Sequence, residues 1–217
     1  MLRVGLTGDL GSGKSTVAAM LAARGAHVFS SDAMARERMQ PGHEIYDRIV
    51  ALFGEQVVVP GARSLDRRAL ARLAFAEGRV EELNAIVHPV VIAEQKRLMD
   101  ELAAREPHAI AVVESALLFS TKHAGGAWHQ RFDEVLVVTA PERDKLERFV
   151  ARAAAGRRLS AAERDAMIVD AKQRLAVQHQ VPAPDADCII LRNDKGLDVL
   201  EQRVNDVWLV LWRKANR

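Results

Sequence analysis

The 217-residue sequence predicts an α/β fold of three layers, a parallel sheet between helices. Three observations predict it. Short apolar, β-branched runs alternate with longer stretches of helical spacing. A glycine-rich segment joins the first apolar run to the first helical one. A long charged stretch of helical character separates the second apolar run from the third. It is too long for one crossover and reads as an inserted helical subdomain.

Residues 2–7 are an apolar run that ends in a glycine loop, and they read as a buried strand. Residues 14–24 place alanine and leucine at helical spacing and stop at Gly25, a suitable C-cap. Residues 27–29 are a second short strand. From Ser31 to about Arg105 the pattern is helical, broken by Pro41, Gly42, Pro60 and Gly61. Residues 109–113 and 135–139 are apolar and β-branched, the pattern of central strands buried on both faces. Residues 141–155 read as a helix with Pro141 in its first turn. Ser160 to Glu163 fits a capping box, so another helix starts there. Residues 188–191 are a last strand and 196–214 a closing helix. The expected division is a nucleotide-binding core (1–35, 106–145 and 180–217), a helical insertion (36–105) and a small lid (146–179).

Composition narrows the partners. A formal net charge of +2 and 5% aromatic residues argue against a nucleic-acid binder, which usually carries basic patches or base-stacking rings. Cys188 is the one cysteine, so no internal disulfide forms, as suits a reducing cytosol. It reads as a small core residue. No stretch reads as a signal peptide or as an apolar membrane span, so a soluble cytoplasmic protein is expected, with no membrane partner.

Gly8-Asp9-Leu10-Gly11-Ser12-Gly13-Lys14-Ser15 matches the P-loop pattern G-x-x-x-x-G-K-[ST]. Glycines let the backbone wrap closely and aim N–H groups at phosphate oxygens. Lys14 would set its ammonium on the β- and γ-phosphates, and the Ser15 hydroxyl would ligate Mg²⁺. The helix that follows adds the positive end of its dipole. The bland reading is a glycine-rich surface turn, but the motif sits between a strand and a helix, as phosphate binding demands. Asn193-Asp194-Lys195-Gly196 has the wrong order for the base-reading Asn-Lys-x-Asp of GTPases. The loop alone leaves the use of the nucleotide open. A kinase for another nucleotide or small molecule, and a nucleotide-sensing module without catalysis, both fit it.

The continuation is more specific. Gly5 to Val17 is followed by Ser31 to Arg36, Gln40-Pro41-Gly42, Leu65 to Leu70, His88-Pro89 and Leu117-Leu118-Phe119. Val135 to Val138 and Leu146 to Arg152 complete the series. Over nearly the whole chain this resembles the dephospho-CoA kinase family. The resemblance implies transfer of the ATP γ-phosphoryl group to the ribose 3′-hydroxyl of dephospho-CoA, with ATP as co-substrate and Mg²⁺ as cofactor. It also implies a P-loop core, a helical CoA-binding insertion and a lid, in a monomer or weak homo-oligomer.

Roles follow by position. Asp32, just after the second strand, would orient the hydroxyl and accept its proton; a helix N-cap is the alternative. Lys14 and Arg152 would act on phosphates. Gly11, Ser12, Gly13, Lys14, Ser15 and Thr16 would bind ATP, with Asn193 at the adenine-side turn. Thr7, Asp32, Arg36, Arg68 and His88 would contact the acceptor. For Arg36 a salt bridge to Asp32 or Asp9 is equally open, for Arg68 a solvated face, for His88 a packing residue at a helix start, and for Asn193 a plain turn before a helix. Ser15 and Glu114 would hold the metal; for Glu114 a structural hydrogen bond at the strand end is the alternative. Of the other lid-region arginines, Arg148, Arg157 and Arg158 either close over the phosphates with Arg152 or form a solvated basic face. The chain departs from the family pattern at Asp9 (usually Gly), Ser30 (often Asp), Glu114 (usually Asp), Ala116 (Pro) and Ser120 (Glu). A carboxylate at position 9 opposes bound triphosphate unless it points away. Nothing is carried over to residues 172–185.

Overall fold

A computed structural model describes residues 1–119, 128–178 and 188–217. Five strands, β1 (Leu2–Gly8), β2 (His27–Ser30), β3 (Ile110–Glu114), β4 (Glu134–Thr139) and β5 (Cys188–Arg192), form one sheet in the order β2-β3-β1-β4-β5. The pairs of β1 with β3, β1 with β4 and β4 with β5 are parallel. Helices α1 (Lys14–Ala22), α6 (Glu142–Ala154), α7 (Ala161–Gln178) and α8 (Leu197–Ala215) accompany it. This is the predicted α/β class.

The alternation of the strands fixes the layers. Leu2, Val4 and Leu6 of β1 share one face with Ile110, Val112, Leu136, Val138 and Leu191. Against that face pack Val17, Ala18 and Leu21 of α1 and Leu200, Val204, Val207, Leu211 and Ala215 of α8. Gly5 faces the other way, where Leu118 and Phe132 come so close that a Cβ would lie 2.6 Å from Leu118 Cδ1. The edge position of β5 explains a departure: Cys188 is only half-buried, because its strand has one neighbour.

Gly25 closes α1 as expected. The Ala26 N–H donates to Leu21 O at 3.1 Å and the Gly25 N–H to Ala22 O at 3.0 Å, the paired bonds of a Schellman ending. The capping box also forms. The Ser160 N–H donates to Glu163 Oε2 at 2.8 Å, and the Glu163 N–H donates to Ser160 Oγ at 3.3 Å.

The chain divides into two compact units, one holding the described residues of 1–29, 102–119 and 128–217, the other those of 30–101. The second unit contains α2 (Ser31–Arg38), α3 (Glu44–Phe53), a 3-10 turn (Glu55–Val57), α4 (Arg67–Ala71), a π-helical turn (Arg72–Ala76) and most of α5 (Val80–Arg105). Ile45, Ile49 and Phe53 recur every four residues on α3 and pack with Leu70, Leu73, Ile86, Val87 and Val91. Pro89 lies inside α5, which continues past it although proline removes one backbone donor.

Glu94 of α5 takes hydrogen bonds or ion pairs from two arginines, Arg97 at 2.8 Å and Arg38 at 2.7 Å. These, Arg97 first and Arg38 after it, hold its carboxyl down at about 2. A depressed carboxylate stabilises the fold above its unfolded pKa of about 4.3 and loses that contribution as pH falls toward the folded value. The melting temperature of the parent should therefore exceed that of Glu94→Gln at pH 6. The gap should narrow between pH 4.5 and 2. A gap constant down to pH 2 would contradict the assignment.

Candidate active site

β1 delivers the chain into the loop and α1 carries it away, so residues 8–13 form a cradle at the start of a helix. Gly13 caps α1 with φ 102 and ψ 20, a left-handed backbone for which a side chain is disfavoured. A Cβ there would lie 2.3 Å from Asn193 Nδ2, and one on Gly11 would lie 2.3 Å from Lys145 O. Both glycines are thus required by close approach of neighbouring elements, not only by the turn.

The Lys14 ammonium donates to Gly8 O at 2.7 Å and to Asp9 O at 3.1 Å, which holds it over the loop. The Ser15 hydroxyl donates to Glu114 Oε1 at 2.7 Å. Ser15 opens α1 and Glu114 ends β3, which pairs with β1 in register Leu6 to Glu114. The sheet thus brings together the two residues expected to share a metal, 99 positions apart. Thr16 is exposed in the first turn of α1. Among the described residues, no group of three His, Cys, Asp or Glu side chains forms a metal site. A hydroxyl and a carboxylate are nonetheless hard oxygen donors of the kind Mg²⁺ takes when phosphates and water complete its shell.

Thr7 and Ser12 are buried. Their hydroxyls have no hydrogen-bond partner among the described residues. Thr7, expected at the acceptor, is fully enclosed at the end of β1, beneath the loop and not on an open surface.

The side chain of Asp9 is engaged by α6. Its carboxylate pairs with the ammonium of Lys145 on α6, a lysine only 7% exposed. Arg148, one turn further along α6, donates to Gly11 O at 3.2 Å, Ser12 O at 3.3 Å and Asn193 O at 3.2 Å. Of the two alternatives for Arg148, the solvated face is not what the structure shows; its guanidinium braces the loop. Asn193 is buried, and its side chain donates to Ser12 O at 2.9 Å. Lys145, and the loop contacts of Arg148, escaped the sequence reading, since no local pattern links them to residues more than a hundred positions earlier. Arg152 is exposed in the last turn of α6, just before Ala155 and Gly156, whose φ values of 48 and 81 end the helix.

In the second unit, Asp32 is exposed in the first turn of α2. The N-cap role falls to Ser30, whose Oγ accepts from the Ala33 N–H at 3.4 Å. Among the described residues Asp32 and Arg36 make no ion pair with each other, and Arg36 is exposed. Asp66 caps α4 by accepting from the Arg68 and Ala69 N–H groups at 2.8 and 3.1 Å. Those bonds, Ala69 first, hold its carboxyl below the usual range. The Arg68 side chain is exposed, and His88 is half-buried on α5 beside Pro89. Ser120 lies outside the described residues.

A glycine cradle between β1 and α1, a lysine over it, and a serine paired with a strand-end carboxylate together define a P-loop nucleotide-binding protein. Relatives say which kind. The dephospho-CoA kinase family profile matches residues 2–192. The dephospho-CoA kinase of Thermobifida fusca is 40% identical over 217 residues, 100% of this chain and 99% of that one. That of Moorella thermoacetica is 42% identical over 153 residues, 70% of this chain and 69% of that one. A crystal structure from Thermus thermophilus superposes with TM-score 0.68 at 33% identity, covering 97% of each chain. A dephospho-CoA kinase structure from Campylobacter jejuni, 19% identical over 98% of each chain, shares the fold with TM-score 0.62. The chain belongs to the dephospho-CoA kinase family, a family of kinases that use ATP as co-substrate.

Proposed function

We propose that the chain transfers the γ-phosphoryl group of ATP to the 3′-hydroxyl of the ribose of dephospho-CoA, an alcohol acceptor, giving CoA and ADP. The observation that carries this reading is the Lys14 cradle beside the Ser15–Glu114 pair, on a chain of this family. Backbone N–H groups of residues 11–16 and the Lys14 ammonium would hold the triphosphate. Ser15 and Glu114 would hold Mg²⁺, which when bound neutralises charge on the phosphates. Asp32 would orient the acceptor hydroxyl and take its proton, a task for which an uncommitted carboxylate is suited. Arg152 would reach the transferring phosphoryl from the lid, residues 146–179, and Arg36, Arg68 and His88 would receive the acceptor, within the insertion of residues 36–105. Asn193 would serve ATP indirectly, by fixing Ser12. The burial of Thr7 supports a place under the loop more than one on the acceptor.

Among the described residues no helix is long and apolar enough to cross a membrane. Action in the cytoplasm, without nucleic acid, belongs to the same proposal.

The test is the product. Phosphorus NMR of a reaction with ATP, Mg²⁺ and dephospho-CoA should show a new phosphate monoester at the 3′ position of the ribose, equal in amount to ADP. Phosphate at another position, or free inorganic phosphate in its place, would overturn the reading.

A further inference from the structure

We propose that Asp9 and Lys145 form a positioning pair for the phosphate loop, which keeps the loop's own carboxylate off the phosphates of ATP. The inference rests on the reading of the loop as the ATP phosphate site. It assigns a role to Asp9, a variable position of the P-loop pattern that is usually glycine in the family, and to Lys145, far outside that pattern.

A carboxylate inside a phosphate cradle is repelled by the ligand, and the repulsion grows where water is excluded. Here the Asp9 side chain is 18% exposed and engages the ammonium of a lysine whose side chain is 8% exposed. Neither charge is placed for solvent. A buried ammonium is costly without a partner, so each ion requires the other. The contact joins two elements, since Asp9 lies in the loop and Lys145 on α6, 136 residues later. The same lysine meets the loop a second time through its backbone, where Gly11 leaves no room for a Cβ against the Lys145 carbonyl. Arg148 then binds the Gly11 and Ser12 carbonyls from the next turn. One face of α6 therefore holds the loop at residues 9, 11 and 12, and the ion pair sets where the Asp9 charge points.

The consequence is an asymmetry that a packing contact would not produce. Removal of the lysine frees a negative charge beside the phosphates. Removal of both residues frees none. Lys145→Met is expected to raise KM for ATP, and the Kd for ATP measured by calorimetry without acceptor, about tenfold, which is about 1.4 kcal/mol. Its kcat should change less than about twofold, because the reacting groups stay in place. Asp9→Gly added to Lys145→Met should return both constants to within about threefold of the parent, and Lys145→Arg should keep them there. Lys145→Gln gives the same comparison if the methionine variant melts below the assay temperature. Equal losses in the single and double variants, or a single variant that binds ATP like the parent, would overturn the proposal. The calorimetric arm needs no acceptor. A parent that binds ATP but ignores dephospho-CoA faults the acceptor assignment and leaves the Asp9–Lys145 comparison decisive.

Discussion

Lys14→Ala is expected to lower kcat/KM by about a thousandfold, the scale seen when one cation is removed from a phosphoryl-transfer site. The Lys14 ammonium is held by Gly8 O and Asp9 O, so its position comes from the loop and not from the substrate. A group already in place stabilises developing charge without reorganisation at the moment of reaction. Arginine at this position should not rescue, since its planar fork does not match two carbonyls arranged around a point charge. The fold should survive, because β1 and α1 are held by Leu6, Val17 and Leu21 in the core, none of which Lys14 contributes to. A loss of less than tenfold, or one that tracks a fall in melting temperature, would contradict the placing of Lys14 on the phosphates.

Asp32→Ala is expected to lower kcat by about a hundredfold to ten-thousandfold, the usual range for a general base, with Kd for ATP unchanged. The structure makes this variant a clean one. Ser30 caps α2, so Asp32 is not needed to start the helix, and its side chain is exposed. The measured melting temperature should stay close to that of the parent. Asp32→Asn should fare little better than alanine, because an amide can orient the hydroxyl but cannot take its proton. A kcat near that of the parent in both variants would remove Asp32 from the chemistry.

Much of the fold was legible because it is written in local patterns. The glycine spacing of the loop demands a strand before it and a helix after it, and β1 and α1 are there. Gly25 and the Ser160–Glu163 box mark helix ends by backbone hydrogen bonds a few residues long. The continuous apolar character of β3 and β4 reports strands buried on both faces. The insertion was harder. Its glycines and prolines marked breaks, yet Pro89 lies within the 26 residues of α5, where packing of Ile86, Val87 and Val91 outweighs one lost backbone bond.

The site divides in the same way. Ser15 and Glu114 were legible together because strand ends in a parallel sheet converge, whatever the separation in sequence. The choice between base and N-cap for Asp32 was not, since aspartate suits both; the bond from the Ala33 N–H to Ser30 Oγ removes the N-cap alternative, and the base role stands as a proposal. Asp9 stood out as a charge in the wrong place, but only its contact with Lys145 shows how the charge is accommodated. Arg148 and Arg152 are one turn apart on α6. Nothing in their spacing tells that the first binds the loop while the second stays exposed.

The most direct test of the central claim is steady-state ADP release by the purified chain with ATP and Mg²⁺, with dephospho-CoA compared against adenosine, nucleoside monophosphates and shikimate. Turnover that requires dephospho-CoA and exceeds that on every other acceptor is the predicted result. ADP release at the same rate without an acceptor, or faster on one of the others, would contradict it.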